Sequence, residues 1–315
     1  MNKKALFVLN PHAGKGQIKN HLLTIIDTLV KAGYEVTVHP TQQRGEATEI
    51  VENRDKNYDL VVCSGGDGTL DEIVTGMIKS GIRTPIGYIP AGSTNDFAKS
   101  LKIPSTMKRA AEIVVSGKLF PCDAGLFNDD VFVYVAAFGI FTEVSYETPQ
   151  EMKNMLGHGA YLLEAVKQIQ SIKSYHMKIT YMGIDKNQNI NDPDTQLEEH
   201  IIEDDFIYGM VTNSLSIGGF KNIIENVNGK DIALNDGLFE VILVKCPKNP
   251  IELNMIFASL VSDKFDTEYM YCFKAKDIKI ESPYEVAWTL DGEFGGKHTQ
   301  IEMKNAKEAI DIIVK

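Results

Sequence analysis

The run Leu60-Val61-Val62-Cys63-Ser64-Gly65-Gly66-Asp67-Gly68-Thr69 sets a carboxylate among three glycines at the end of an apolar stretch. A turn without Cβ atoms lets backbone N–H groups reach an anion. If a helix follows, as the spacing of Leu70 and Ile73 predicts, its first N–H groups and its dipole face the same anion. A carboxylate in that turn repels phosphate unless a Mg²⁺ lies between them or a donor on the ligand satisfies it, so Asp67 points to metal-nucleotide chemistry. A plainer reading also fits: Thr69 and Glu72 form a Thr-x-x-Glu capping box, and Asp-Gly is common in ordinary turns. The dinucleotide fingerprint is broken, because Gly66-x-Gly68 is followed by Asp71 where the third glycine would stand, and no Walker sequence occurs.

Two more loops carry groups of the same kind. Asn10-Pro11-His12-Ala13-Gly14-Lys15-Gly16 leads into a helical pattern, and Lys15 either reaches a phosphate as a point charge or is solvated surface. Pro90-Ala91-Gly92-Ser93-Thr94-Asn95-Asp96 again opens a short helix, where Thr94 or Asn95 is a ligand contact or only a cap. Carboxylates recur further on. Asn235-Asp236-Gly237 precedes a strand and reads as a hairpin turn, or as one carboxylate flanked by carbonyls that holds a Mg²⁺ structurally. Asp291-Gly292-Glu293 follows a strand and reads as an exposed turn, or as a general base and its partner.

The elements that must position these groups follow from periodicity. Strands are expected at Ala5 to Leu9, Glu35 to His39, up to the glycine turn at residue 65, and Ile86 to Ile89, with helices between them. One helix carries Leu22, Ile25, Ile26, Leu29 and Val30, another begins at Glu46, and another covers Met107 to Val115. Phe120 to Leu126 reads as a strand leaving this first part. Alternation of strand and helix implies a parallel, layered α/β domain, and such sheets bind ligands where strand ends release loops into helices.

Beyond residue 125 the rhythm changes. Val131 to Ala137, Tyr175 to Met182, Phe206 to Asn213, Leu238 to Val244, Tyr269 to Ile280 and Glu285 to Leu290 read as strands, interrupted by helices near Tyr161 to Gln170 and Ile251 to Leu260. That pattern predicts an antiparallel β-sandwich. Asp185 to Asp205 reads as a long, acidic, solvated hairpin loop, and Ile301 to Val314 as a segment that returns to the first domain. The expected organisation is an α/β nucleotide domain over 1–125, a β-sandwich substrate domain over 126–300, and a C-terminal segment over 301–315.

Composition narrows the function classes. The chain has 315 residues, 43% hydrophobic and 24% charged, as in a globular protein. Its 32 basic and 43 acidic residues give a net charge of -11, which argues against general nucleic-acid binding. Cys63, Cys122, Cys246 and Cys272 form no Cys-x-x-Cys pair, so neither a zinc site nor a disulfide framework is expected, and a reducing cytoplasm is. The start is too short in apolar residues for a signal peptide, and no run approaches the roughly 20 needed to span a bilayer. A cytoplasmic protein with peripheral membrane association is the expectation.

Together, Asn10-Pro11 to Gly16, Thr41, Gly65 to Thr69, Gly92 to Asp96, Asn235-Asp236-Gly237 and Asp291-Gly292-Glu293 resemble the bacterial diacylglycerol kinase and YegS-like lipid kinase family, in register over nearly the whole chain. The resemblance implies an N-terminal nucleotide domain, a C-terminal β-sandwich, and ATP in the cleft between them. It implies ATP contacts from Asn10, Thr41, Gly66, Gly68, Thr69 and Thr94, with Asp67 and Asp96 near the ribose, phosphates and metal; Lys15 and the amides of the turn from Gly65 are expected to help hold the phosphates. Asp236 and the carbonyls of Ala233 and Leu238 match a structural Mg²⁺ site. Asp291 or Glu293 would be the base that takes a proton from a lipid hydroxyl, most simply that of diacylglycerol, to give phosphatidic acid in phospholipid biosynthesis. The alternatives are a kinase of NAD or another small molecule, and a nucleotide-binding regulatory protein without chemistry. The expected partner is a lipid at the membrane surface, with a homodimer as the alternative to a monomer. Val135 to Phe141 would line a lipid pocket or fill a core, and Lys167, Lys173 and Lys178 would dock a membrane or face solvent.

Overall fold

The computed structural model describes residues 3–139, 173–184, 196–213, 234–261 and 268–315. The helix expected at Tyr161 to Gln170, Lys167, Ile140, Phe141 and Ala233 lie outside these residues, as does 185–195 of the acidic stretch. The N-terminal part alternates β1 (Lys3–Leu9), α1 (Ile18–Lys31), β2 (Tyr34–Pro40), α2 (Glu46–Glu52), β3 (Leu60–Gly65), α3 (Asp67–Ser80), β4 (Ile86–Pro90), α4 (Asp96–Ser100) and α5 (Met107–Ser116). All four strands pair in parallel, in the order β4, β3, β1, β2. Every residue of β3 and β4 is buried, as expected of strands covered by helices on both faces.

Register aligns the loops that matter. Leu9 lies opposite Ser64, and Ser64 opposite Ile89, so β1, β3 and β4 release their chains at one level of the sheet. The strand order reverses between β1 and β3, the place where an open α/β sheet leaves a crevice beyond its carboxyl ends.

The later strands are β5 (Lys118–Phe127), β6 (Asp130–Phe132), β7 (Val135–Gly139), β8 (Tyr175–Ile184), β9 (Glu198–Thr212), β10 (Phe239–Lys245), β11 (Met270–Leu290) and β12 (Glu293–Val314), with α6 (Pro250–Val261) before β11. All their pairings with one another are antiparallel. They divide their residues by the two-residue period of a strand. Ala136, Phe138, Val211, Val241 and Leu243 join one core with Trp288, Phe132 and Met177, while Val135, Ala137, Met210, Ile242 and Val244 face a second with Ile256 of α6.

Long strand β12 links the regions. It pairs with β11 near its start and with β5 along its length, and Ile312 pairs in parallel with Ile86 of β4. Ile310, Ile312 and Ile313 are buried in the core of the α/β region. The described strands form one 12-stranded mixed sheet, α/β at its N-terminal end and β-rich at the other.

Three local expectations change. Val131 to Ala137 is two strands, β6 and β7, because a side chain described below takes the backbone N–H groups at the break. Tyr269 to Ile280 and Glu285 to Leu290 are one strand, β11, whose pairing with β12 shifts register between Glu281 and Val286. The acidic stretch is strand from Glu198 onward, in antiparallel register with β8 from Glu198 opposite Gly183 to Phe206 opposite Tyr175. Alternating residues of β8, Tyr175, Met177, Ile179 and Tyr181, are buried and make that pairing worthwhile.

Candidate active site

A cleft of about 700 Å³ opens beyond the ends of β1, β3 and β4. One wall is made by Asn10, Gly14, Thr41, Gly66, Gly68, Thr69 and Gly92, and the other by Asp130, Val131, Leu290, Glu293 and Phe294 of the β-rich region.

The first wall is backbone laid close to backbone. A Cβ on Gly92 would stand 2.5 Å from the Gly66 Cα, so the turns after β3 and β4 touch only because both residues lack side chains. The Asn95 amide ties the second turn, accepting from the Gly92 N–H at 2.9 Å and donating to the Gly92 carbonyl at 2.8 Å. Asn10 is fixed through its N–H, which donates to the Ser64 carbonyl at 2.8 Å, and its Oδ1 accepts from the His12 N–H at 2.9 Å. Thr41 is buried beside it, its N–H donating to the Leu9 carbonyl at 2.9 Å. The backbone of Lys15 lies in the 3-10 turn Ala13–Gly16, and its side chain lies outside the described ones.

Asp67 begins α3, with Gly66 as the cap. Its Oδ2 accepts from the Thr94 hydroxyl at 3.2 Å and the Asp96 N–H at 3.1 Å, and its Oδ1 from the Phe97 N–H at 3.3 Å. The carboxylate therefore clamps the β3 turn to the start of α4. Burial raises its pKa, and the N–H groups of Asp96 and Phe97 oppose that rise. Asp96 is buried and pairs with Lys99 at 3.0 Å. The capping-box reading of Thr69 and Glu72 fails: Thr69 lies inside α3, and Glu72 reaches across to accept from the Gly45 N–H at 2.8 Å and the Ala47 N–H at 3.2 Å at the start of α2.

Asp291 and Gly292 form the two-residue turn between β11 and β12, with Leu290 paired to Glu293. Their φ values, 51 and 86, are those of a hairpin turn with both central residues left-handed, which suits an aspartate followed by glycine. The turn is not an exposed one, for Asp291 is 6% accessible. Its Oδ2 accepts from the Val133 N–H at 2.6 Å, and its Oδ1 from the N–H groups of Tyr134 at 3.0 Å and Val135 at 2.8 Å. These bonds interrupt the strand between β6 and β7. The Tyr134 hydroxyl donates to the Asp291 carbonyl at 3.1 Å. Burial pushes the Asp291 carboxyl up to about 6 against the pull of the three N–H groups. Glu293 is half-exposed and pairs with Arg44 at 3.1 Å across the cleft mouth.

Asp236 does not line the cleft. Its Oδ1 accepts from the Leu238 N–H at 2.9 Å, and its Oδ2 lies 3.2 Å from Lys274 Nζ, which also lies 3.3 Å from Glu240. Burial pushes Glu240 up to about 8. Among the described residues no group of three His, Cys, Asp or Glu side chains is placed to hold a metal. A hard oxygen donor is nevertheless present at Asp236, where Lys274 already supplies one positive charge.

The fold thus brings Asn10, Thr41, Gly66, Gly68, Thr69 and Glu293 to one cleft, sets Asp67, Asp96 and Asp291 behind its surface, leaves Thr94 exposed in the turn after β4, and leaves Asp236 and Leu238 elsewhere. Three residues were not expected from sequence to belong to the site. Asp71 and Glu72 line the cleft, and Arg44 faces Glu293 over it. A signal for Asp71 existed in its spacing, since positions 67 and 71 lie four apart on one helix face.

Comparison with known proteins agrees over most of the chain. The family described as the diacylglycerol kinase catalytic domain matches residues 4–127. A diacylglycerol kinase of Bacillus subtilis (strain 168) is 30% identical over 93% of this chain and 91% of its own length. A diacylglycerol kinase of Staphylococcus aureus (strain bovine RF122 / ET3-1) is 34% identical over 94% of this chain and 88% of its own. Among solved structures, one from Bacillus anthracis str. Sterne covers all of this chain and 96% of its own with a TM-score of 0.77 at 25% identity. A diacylglycerol kinase structure from the same organism has a TM-score of 0.71 at 22% identity, covering all of this chain and 97% of its own, and supports the fold alone.

Proposed function

This chain belongs to the diacylglycerol kinase family and is a lipid kinase that uses ATP, and from that premise we propose that its acceptor is diacylglycerol, converted to phosphatidic acid. The observation that carries the reading is the cleft, with glycine turns on one wall and the Asp291 hairpin against the other. The N–H groups around Gly66, Gly68 and Gly92 would receive the phosphates, with Asn10, Thr41 and Thr94 beside them. Asp67 acts through the two turns it clamps together. Phosphoryl transfer passes through a loose transition state, so most of the catalysis is positioning and charge stabilisation.

Asp291 would take the proton of the acceptor hydroxyl while the hydroxyl oxygen bonds the γ-phosphorus and ADP leaves. It is buried, faces the nucleotide wall and stands at the tip of a rigid hairpin, which favours it over the half-exposed Glu293. Mg²⁺ bound with ATP would neutralise phosphate charge. A second Mg²⁺ at Asp236, with the carbonyls of Ala233 and Leu238, would be structural and would share the carboxylate with Lys274. Titration of Mg²⁺ into metal-free protein is then expected to raise the melting temperature, an effect absent in Asp236→Asn.

Among the described residues no helix is long and apolar enough to cross a membrane, and the acceptor would be met at a membrane surface. The test is γ-phosphoryl transfer from labelled ATP to dispersed diacylglycerol, sphingoid base, prenol and phosphatidylglycerol, with NAD alongside. Labelled phosphatidic acid that disappears in Asp291→Asn supports the reading. Label on NAD, or on another lipid in preference, overturns it.

A further inference from the structure

Asp71 is a carboxyl that the mechanism above leaves without a role. It stands in α3 one turn after Asp67, and it lines the cleft. Its Oδ1 is buried and meets no N–H or O–H donor among the described residues. Its side chain contacts the Asp291 carboxyl at hydrogen-bonding range. Two carboxylates have no proton to place between them, so a hydrogen bond there requires one acid to be neutral. The surroundings decide which one. Asp291 already accepts three backbone N–H groups, which stabilise its charge, whereas the buried oxygen of Asp71 accepts none.

We propose that Asp71 and Asp291 share a single proton, carried by Asp71 and donated to Asp291, and that Asp71 is thereby the positioning residue that keeps the base ionised. This rests on the reading of Asp291 as the base. When the acceptor's O–H bond breaks, its proton passes to Asp291, and its electron pair forms the new bond to the γ-phosphorus. The bond from that phosphorus to the bridging oxygen breaks, and its pair leaves with ADP. Both carboxyls are then neutral until one proton returns to solvent with product release. The pair also presents one negative charge instead of two beside incoming phosphates.

The neighbouring groups are consistent with that charge state. Glu72 follows on α3, Asp67 precedes on it, Glu293 faces the pair from β12, and the Tyr134 hydroxyl comes from the turn between β6 and β7. Arg44 is the cation at the mouth, engaged by Glu293. Burial is the largest influence on Asp71 and raises its pKa well above the usual carboxylate range, and the charge of Asp291 adds to the rise.

The experiment compares the pH profile of kcat for the wild-type kinase, Asp71→Ala and the isosteric Asp71→Asn, with ATP, Mg²⁺ and micellar diacylglycerol. Loss of the donor is expected to move the acid limb up by roughly one to two pH units in Asp71→Ala. Asn, which still donates, is expected to restore most of that shift. A purely structural Asp71 would lower stability and leave the limb in place, and an unmoved limb in both variants overturns the proposal. In parallel, ¹³C-carboxyl NMR of aspartate-labelled protein is expected to show one carboxyl protonated at neutral pH whose signal is missing from Asp71→Asn. Two ordinary acidic titrations would overturn the proposal without any assay of turnover. If Asp291→Asn retains turnover, the base assignment falls, and the NMR titration still decides whether the proton is shared.

Discussion

The turn after β3 and the hairpin between β11 and β12 each hold an aspartate that accepts three hydrogen bonds from a neighbouring segment, yet only Asp291 lies at hydrogen-bonding range of a second carboxyl, that of Asp71. Asp67 takes the Thr94 hydroxyl and two N–H groups at the start of α4, while Asp291 takes three consecutive N–H groups from the break between β6 and β7. Hydrogen-bond count therefore does not separate a loop clamp from a base. Burial and the neighbouring acid do: Asp291 is nearly inaccessible and touches Asp71, so its protonation is tied to a partner. One wall is built of glycine backbone at its turns, and the carboxyl pair is drawn from both walls, Asp71 from α3 and Asp291 from the hairpin.

The comparison breaks most visibly at Asp291, the proposed base. Asp291→Asn is expected to lower kcat by about 10²- to 10⁴-fold and to leave the ATP dissociation constant within a few-fold, as read by single-turnover kinetics and calorimetry. If ATP binding were destroyed instead, Asp291 would belong to the same class as Asp67. Asp67→Ala, which leaves the Asp96 and Phe97 N–H groups without their acceptor, is expected to cost about 1–3 kcal/mol of stability by denaturant titration and to act on ATP KM more than on kcat. Gly92→Ala must push the β3 and β4 turns apart, at a strain of about 1–3 kcal/mol, and weaker ATP binding with little change in the acid limb would keep the two walls distinct.

Proton linkage sharpens the contrast further. Asp291 is raised in the folded state to about 6, above its unfolded value near 3.9, so the folded protein binds that proton more tightly. Its contribution to stability is then largest at acid pH and declines as pH rises from about 4 through about 6. Urea unfolding at pH 4.5 and pH 7 is expected to show this decline in the wild type and a flatter response in Asp291→Asn. The smallest effect is at the mouth: Arg44 and Glu293 are both at least half exposed, and Arg44→Ala is expected to cost less than about 1 kcal/mol, measured by thermal unfolding.

Much of the fold class was legible because its signals are local. The strand at Leu60, the glycines after it and the amphipathic helix from Asp67 sit within a few residues of one another, and backbone geometry follows from such neighbours. Hidden were the features that depend on remote partners. Glu72 reads as a capping-box acid for its own helix but caps α2, whose N–H groups at Gly45 and Ala47 come from earlier in the chain. Val131 to Ala137 has the composition of one strand, and its break lies in the Asp291 carboxyl, supplied from the far end of the chain.

By itself the sequence determined that an α/β region with three glycine-bearing loops would be followed by a β-rich region, because hydrophobic period and the absence of Cβ atoms act over short range. Only the tertiary structure decided that those loops touch, that Asp67 is spent on holding them, and that Asp71 faces Asp291. Side-chain pairing across the cleft depends on β12 threading from the β-rich region into the sheet beside β4, and no local pattern encodes where a strand of that length ends up. A carboxyl's role is set by what surrounds it in space, since desolvation and a neighbouring charge act through distance and not through position along the chain.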